Sequence, residues 1–140
     1  MIAHIQGKLV EKNPTEVVID CGGVGYHINI SLHTYSLLPN SDQIKLFTYL
    51  QVKEDAHTLF GFFEKSEREI FKMLLSVSGI GASIARTMLS SLEPKQIIQA
   101  IASGDVGTVQ SIKGIGLKTA QRVILDLQDK VLKLYDLDEV

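Results

Sequence analysis

The chain has 140 residues, 45% hydrophobic and 21% charged, with a formal net charge of −2 and a mean hydropathy of +0.15. That size and apolar content suit one or two small domains with real cores, and the slightly apolar balance points to surface buried in an assembly. No apolar run approaches the ~20 residues of a membrane span, the N-terminus lacks a basic signal region, and the single cysteine, Cys21, excludes an internal disulfide and suits a reducing compartment, the cytoplasm.

The first part reads as strands. Ile2 to Val10 alternates roughly, with Gly7 as the expected bulge. Lys12 to Thr15 is a turn, Glu16 to Cys21 a β-branched run, and Gly22-Gly23-Val24-Gly25 a tight reversal. Cys21 beside it is expected to be a small buried filler. Tyr26 to Ser31 alternates at period two, and Leu32 to Leu38 is a short helical turn closed by Pro39. Gln43 to Val52 is a long strand, Lys53-Glu54-Asp55-Ala56 its turn, and His57 to Phe62 the return strand. Five strands in so short a stretch predict a small closed barrel, the OB-fold, over residues 1–63. His4, His27, His33 and His57 are scattered without metal-ligand spacing, so neither metal nor cofactor is expected.

The period changes at Glu64 and stays helical to the end, so residues 64–140 predict an all-helical domain. Ser66 and Glu69 read as a capping box before Ile70, Phe71, Met73, Leu74 and Val77. Helices are expected over Ala82–Ser90, over Lys95–Ala102 with Pro94 in the first turn, over Asp105–Ile112, and over Leu117–Leu134. The last should bury Ala120, Val123, Ile124, Leu127, Val131 and Leu134.

A repeat runs at an offset of 35 residues: Ser76, Val77, Gly79-Ile80-Gly81 and Ala85 match Ser111, Ile112, Gly114-Ile115-Gly116 and Ala120. Each copy is helix, apolar-glycine turn, helix, the helix-hairpin-helix pattern. The two glycines let the backbone turn while the isoleucine plugs the core. The next helix then offers its first unpaired N–H groups, with the positive end of its dipole, to an anion. Such a socket grips phosphate and ignores base identity. Around the second socket stand Lys113, Lys118 and Arg122; around the first the same places hold Ser78 and Ser83, with Arg86 near by. The second hairpin should therefore contribute more. Charge follows the motif: residues 1–63 hold four Lys against six acids, residues 64–133 ten Lys and Arg against seven acids, and residues 134–140 three acids alone. Taken alone, the glycines could equally be ordinary helix C-caps in a packed bundle.

The opening Met1-Ile2 with Gly7-Lys8-Leu9, the Gly22-Gly23-Val24-Gly25-Tyr26 turn, Val52-Lys53-Glu54-Asp55-Ala56 leading to Leu59-Phe60-Gly61-Phe62, and both hairpins with Lys118-Thr119-Ala120 carry a wider resemblance. On these residues the whole chain resembles the RuvA family of bacterial Holliday junction branch-migration proteins. The resemblance implies an OB-fold domain for tetramerisation, then a tandem helix-hairpin-helix domain, in a homotetramer or octamer that holds a four-way DNA junction open. It implies DNA contact through Gly79, Gly81, Ser83, Arg86, Lys113, Gly114, Gly116, Lys118, Thr119 and Arg122. It makes Glu54 and Asp55, by themselves an ordinary solvated loop tip, an acidic pin at the tetramer centre. The implied partners are a RuvB-type hexameric ATPase and a RuvC-type resolvase. Family members dock the ATPase through a small C-terminal helical domain; here the acidic stretch before Val140 resembles the start of the linker to it, so that domain is expected to be absent.

Two rival functions are open. A helix-hairpin-helix DNA glycosylase would use Lys118 as its catalytic lysine and Asp136 as the downstream acid. Asp136 sits in an acidic tail, however, and no length remains for a flipped-base pocket. A general single-strand binder would stack bases on aromatics, but Tyr26, Tyr35, Phe47, Tyr49, Phe60, Phe62 and Phe63 mostly look placed for core. Neither hairpin has the spacing of a nucleotide-binding loop, so any ATPase must be a partner and the chain is expected to be non-catalytic.

Overall fold

The structure, a computed structural model, describes residues 1–135; Asp136, Asp138, Glu139 and the expected linker start lie outside the described residues. The described chain divides into two compact units, Met1–Glu69 and a second beginning at Ile70.

In the first unit the period-two runs become β1 (His4–Lys12), β2 (Glu16–Cys21), β3 (Val24–Ile30), β4 (Gln43–Val52) and β5 (His57–Phe62), with α1 (Leu32–Leu37) between β3 and β4. They close a barrel in the order β1-β2-β3-β5-β4, parallel only between β3 and β5. This is the five-stranded barrel that the sequence predicts. Every second residue points inward, so Val17, Ile19, Ile28, Ile30, Ile44 and Leu46 fill the interior with β-branched and aliphatic bulk.

Two details differ from expectation. The register between β1 and β2 shifts between Leu9 and Glu11, so the extra residue is Val10 and not Gly7. Gly7 stays in register opposite Ile44. It is glycine for space: a Cβ there would lie 2.4 Å from the Asp20 carbonyl oxygen. Cys21 is half-buried rather than a core filler, and its thiol donates to the Gln6 carbonyl at 3.2 Å.

A polar knot closes one end of the barrel unit. Glu67 is fully buried. Its carboxylate accepts the Ser31 hydroxyl and the Thr34 hydroxyl, each at 2.5 Å. Those hydroxyl oxygens in turn accept backbone N–H groups: Ser31 takes that of Thr34, capping α1, and Thr34 takes that of Phe63 after β5. One side chain thus fixes two hydroxyl rotors and, through them, three chain segments. The sequence instead points to a capping box at Ser66. The helix begins two residues earlier than that cap implies, at Lys65 rather than Glu67, which leaves Ser66 inside the first turn, and Glu67 meets the Ser31 and Thr34 hydroxyls.

The helices are α2 (Lys65–Leu75), α3 (Ala82–Ser91), α4 (Pro94–Ser103), α5 (Val106–Gln110) and α6 (Leu117–Tyr135). Pro94 opens α4 as expected, behind a reciprocal cap between Glu93 and Gln96. α5 is shorter than expected because Asp105 caps it, accepting the Thr108 N–H, rather than joining it. α6 buries Ala120, Val123, Leu127 and Val131 but leaves Leu134 62% exposed, so its apolar face stops one turn early.

Burial raises the Glu67 pKa above its ordinary 4.5, against the lowering pull of the Ser31 and Thr34 hydrogen bonds. Over the pH range between the unfolded and the folded pKa, the folded chain binds this proton more fully than the unfolded chain does. Stability contributed by this group is full below about 4.5 and falls as pH rises through the folded pKa. In urea unfolding followed by tyrosine fluorescence, Glu67→Gln should flatten that fall. Glu67→Ala, which strips both hydroxyls of their acceptor, should cost about 3 kcal/mol.

Candidate nucleic-acid interface

The two glycine turns are the same turn. In the first, Val77 N–H bonds to Leu74 O, Ile80 N–H to Val77 O at 3.1 Å, and Ala85 N–H to Gly81 O at 2.9 Å. In the second, 35 residues on, Ile112 N–H bonds to Val109 O, Ile115 N–H to Ile112 O at 3.1 Å, and Ala120 N–H to Gly116 O at 3.0 Å. The hydroxyls of Ser76 and Ser111 close the preceding helices in the same way, onto Met73 O and Thr108 O, each at 2.6 Å. Gly79 and Gly114 hold φ of +95° and +91°, a conformation that L side chains rarely adopt. Ile80 and Ile115 are buried, so each plug is in place.

Each hairpin also rests on the other repeat. A Cβ at Gly79 would lie 3.6 Å from Thr119 Oγ1, and one at Gly114 would lie 3.2 Å from Ile84 Cδ1. Positions 79 and 114 correspond across the repeat, and so do 84 and 119. The contact is therefore reciprocal, and a local two-fold relates the hairpins. Sequence reading misses Ile84, although the offset pairs it with Thr119. It also assigns Thr119 to DNA contact; the structure leaves that side chain half-buried against the opposite hairpin.

Beyond each turn the first helical N–H groups, at Ala82 and Ser83 in α3 and at Leu117 and Lys118 in α6, precede the first intrahelical bond, the position at which a helix N-terminus can receive an anion. Gly81, Gly116, Ser83, Lys113 and Lys118 are exposed around these sockets. Arg122 is exposed too, but its Nε bonds Asp126 Oδ2 at 3.2 Å, one helical turn on. A phosphate would have to compete for it, and exposed pairs of this kind are weak enough to yield. Arg86 is half-buried on α3. The second socket is thus the cationic one, as its sequence predicts.

In the barrel unit, β1 covers β4 only as far as Phe47, with one further bond from Thr48 N–H to Ala3 O. β3 covers β5 only from Leu59 to Gly61. The β4–β5 ribbon therefore runs four residues, Tyr49 to Val52, beyond the closed barrel, about 13 Å at ~3.3 Å per residue. Its tip is closed by paired bonds between Lys53 and Ala56 and carries Glu54 and Asp55, both exposed. The aromatics that a single-strand surface would need are not displayed: Phe60 and Phe62 are buried, and Tyr26, Tyr35, Phe47, Tyr49 and Phe63 are half-buried. No described helix is long and apolar enough to cross a membrane.

The chain combines an OB barrel that carries a protruding acidic ribbon with tandem helix-hairpin-helix turns, the class of architecture found in nucleic-acid-binding proteins. Residues 1–61 match the RuvA N terminal domain and residues 71–129 the SAM-like helix-hairpin-helix tandem. Over all 140 residues the chain is 79% identical to the Holliday junction branch migration complex subunit RuvA of Flavobacterium psychrophilum and 67% identical to that of Christiangramia forsetii, spanning 72% of each. It is 57% identical over 133 residues to the RuvA subunit of Cytophaga hutchinsonii, covering 95% of this chain and 67% of that one. The chain belongs to the RuvA family.

If Thr119 serves packing, Thr119→Val, which keeps the branched shape and drops the hydroxyl, leaves DNA affinity unchanged in a fluorescence-anisotropy titration. Gly114→Ala forces a side chain into left-handed φ and against Ile84. It should lower the thermal stability of the helical unit by about 1–3 kcal/mol.

Proposed function

We propose that this chain binds four-way DNA junctions without reading their sequence, as one of four copies around a common axis. In this reading it is the non-catalytic, cytoplasmic DNA-holding subunit of a branch-migration complex, with a RuvB-type hexameric ATPase as motor and a RuvC-type resolvase as a further partner. An octamer, two tetramers enclosing one junction, is compatible with the same contacts. The observation that carries the proposal is the pair of matched sockets. Two backbone turns of one geometry, related by a local two-fold, suit the two antiparallel strands of a duplex arm, whose phosphates carry the same symmetry. The names of the relatives, each a subunit of a Holliday junction branch migration complex, support the choice of a junction over plain duplex.

The mechanism is a contest of charges. Gly79, Gly81 and Ser83 on one side, and Lys113, Gly114, Gly116 and Lys118 on the other, draw phosphates in through N–H groups, helix dipoles and ammonium charge. Arg86 and Arg122 add positive field. The acidic ribbon does the reverse. Two carboxylates per copy place eight around a four-fold axis, and a phosphate within the ~8 Å screening length of them is repelled. An unbroken duplex across the axis is disfavoured, while a junction whose strands part there is not. Selection then follows shape through a built-in penalty on the wrong substrate. Asp136, the acid a glycosylase would need, lies outside the described residues, and Lys118 is exposed.

Lys118→Ala should weaken junction binding and reduce the slope of log K against log salt by about one unit for each phosphate that the lysine neutralises; an unchanged slope would remove Lys118 from the interface. Glu54→Ala with Asp55→Ala should raise affinity for plain duplex and shrink the preference for junctions. A junction-to-duplex affinity ratio equal to the wild type would overturn the acidic-pin role.

A further inference from the structure

The outer face of the β1–β4 pair has a composition that the barrel itself does not require. Ile5, Ile44 and Leu46 point inward and are buried, so the residues that alternate with them point out. Three outward cross-strand pairs result: His4 opposite Phe47, Gln6 opposite Lys45, and Lys8 opposite Gln43. All of these but Phe47 are exposed. Each exposed member carries an N–H donor, and none is a carboxylate. Lys8 and Lys45 are diagonal neighbours, about 7–8 Å apart. Neither has an ion-pair partner among the described residues. Asp20, opposite Lys8 on the β2 side, turns its Oδ1 to the Gly23 N–H at 2.7 Å. Lys45 is also positioned: its Nζ lies 5.2 Å from the centre of the Phe47 ring, and the Arg68 guanidinium lies 5.6 Å from the same ring. Arg68 donates to the Ala3 carbonyl at 2.8 Å and pairs with Glu69 at 3.4 Å, so its charge is used within the fold.

We propose that this face is a second contact surface for the DNA backbone, on the barrel unit: the Lys8 and Lys45 ammonium groups take phosphates of a duplex arm, and Gln6, Gln43 and His4 add neutral donors. Phosphate oxygens only accept hydrogen bonds, and a face of donors without carboxylates is their complement. Two uncompensated lysines a strand apart suit successive phosphates of one DNA strand, and neither reads a base. The occupant is duplex and not single strand, because a single strand asks for an open aromatic face, and the Phe47 ring is already engaged by Lys45 and Arg68. Phe47 is a positioning residue here: it holds the Lys45 ammonium over its ring and leaves that side chain less freedom to lose on binding. The helical unit of the same chain brings the DNA, so contacts too weak to bind alone still add to the total. The inference rests on the reading of the chain as a DNA binder and adds a contact that the two sockets do not supply.

The test is the salt dependence of binding to a synthetic four-way junction, followed by fluorescence anisotropy, for wild type, Lys8→Gln with Lys45→Gln, Lys118→Ala, and Lys12→Gln as a matched control. Lys12 is exposed on the same strand, but it lies beyond the bulge and over the Tyr35 ring at 5.4 Å. The double variant should reduce the slope of log K against log salt by about two units, about one for each phosphate no longer neutralised, with its thermal unfolding unchanged. Lys12→Gln should keep the wild-type slope. An unchanged slope in the double variant, beside a reduced one in Lys118→Ala, overturns the barrel contact and leaves the sockets standing. A slope that Lys12→Gln lowers by as much as one lysine of the pair overturns it as well, since the effect then belongs to overall charge and not to this face. A double variant that keeps the DNA slope and loses binding to a RuvB-type ATPase gives the face to an acidic protein surface and overturns the proposal. A wild type that does not bind junctions overturns this contact and the proposed function together.

Discussion

The first glycine of each hairpin lies under a side chain from the other repeat, Gly79 under Thr119 and Gly114 under Ile84. A phosphate socket made of backbone N–H groups is only as good as the fixity of the backbone, because those dipoles cannot reorient to follow a ligand as a lysine can. Positive φ at the glycines sets the turn, and the opposite repeat holds it. On the proposed reading, the four N–H groups are set in place before any DNA arrives, and little ordering remains to oppose binding. Neither hairpin could be stiffened this way alone. The duplication supplies the buttress as well as the second socket.

The barrel unit depends in a comparable way on one buried carboxylate. Glu67 has two oxygens and meets two hydroxyl donors, and each hydroxyl passes the constraint on to a backbone N–H. Burying the charge is costly and pushes the pKa up, while the two hydrogen bonds pull it back and offset part of that cost. What remains is definition: the end of β3, the start of α1 and the exit of β5 are tied at one point, on the first turn of α2.

Much of this was legible in the residues. The strands β2, β4 and β5 follow directly from β-branched alternation between turn residues, and the 35-residue repeat announces both hairpins, because glycine at a fixed spacing has few other uses. What stayed hidden depends on distant partners. Gly7 looks like a bulge until Asp20 is seen to pass beside it. Ser66 and Glu69 satisfy the local rule for a cap, yet the helix starts two residues before that cap would place it, with Glu67 held by Ser31 and Thr34. Leu134 keeps the helical period although the packing has ended. In each case the local chemistry is sound, and a contact far along the chain, or its absence, decides the outcome.

The inequality of the sockets bears on motion. Every phosphate presents the same oxygens, so a duplex that shifts by one base pair meets a backbone socket in the same state as before. The energy along the arm is then a row of equal wells, and their depth acts as friction on whatever pulls the DNA. On the proposed reading, Lys113, Lys118 and Arg122 on the second hairpin would deepen those wells, but Arg122 is already shared with Asp126, and the first hairpin offers Ser78 and Ser83 where the second offers lysines. On that reading, one strand of an arm would be gripped and the other merely guided. A holder built this way keeps its cargo aligned while resisting little when it is drawn through.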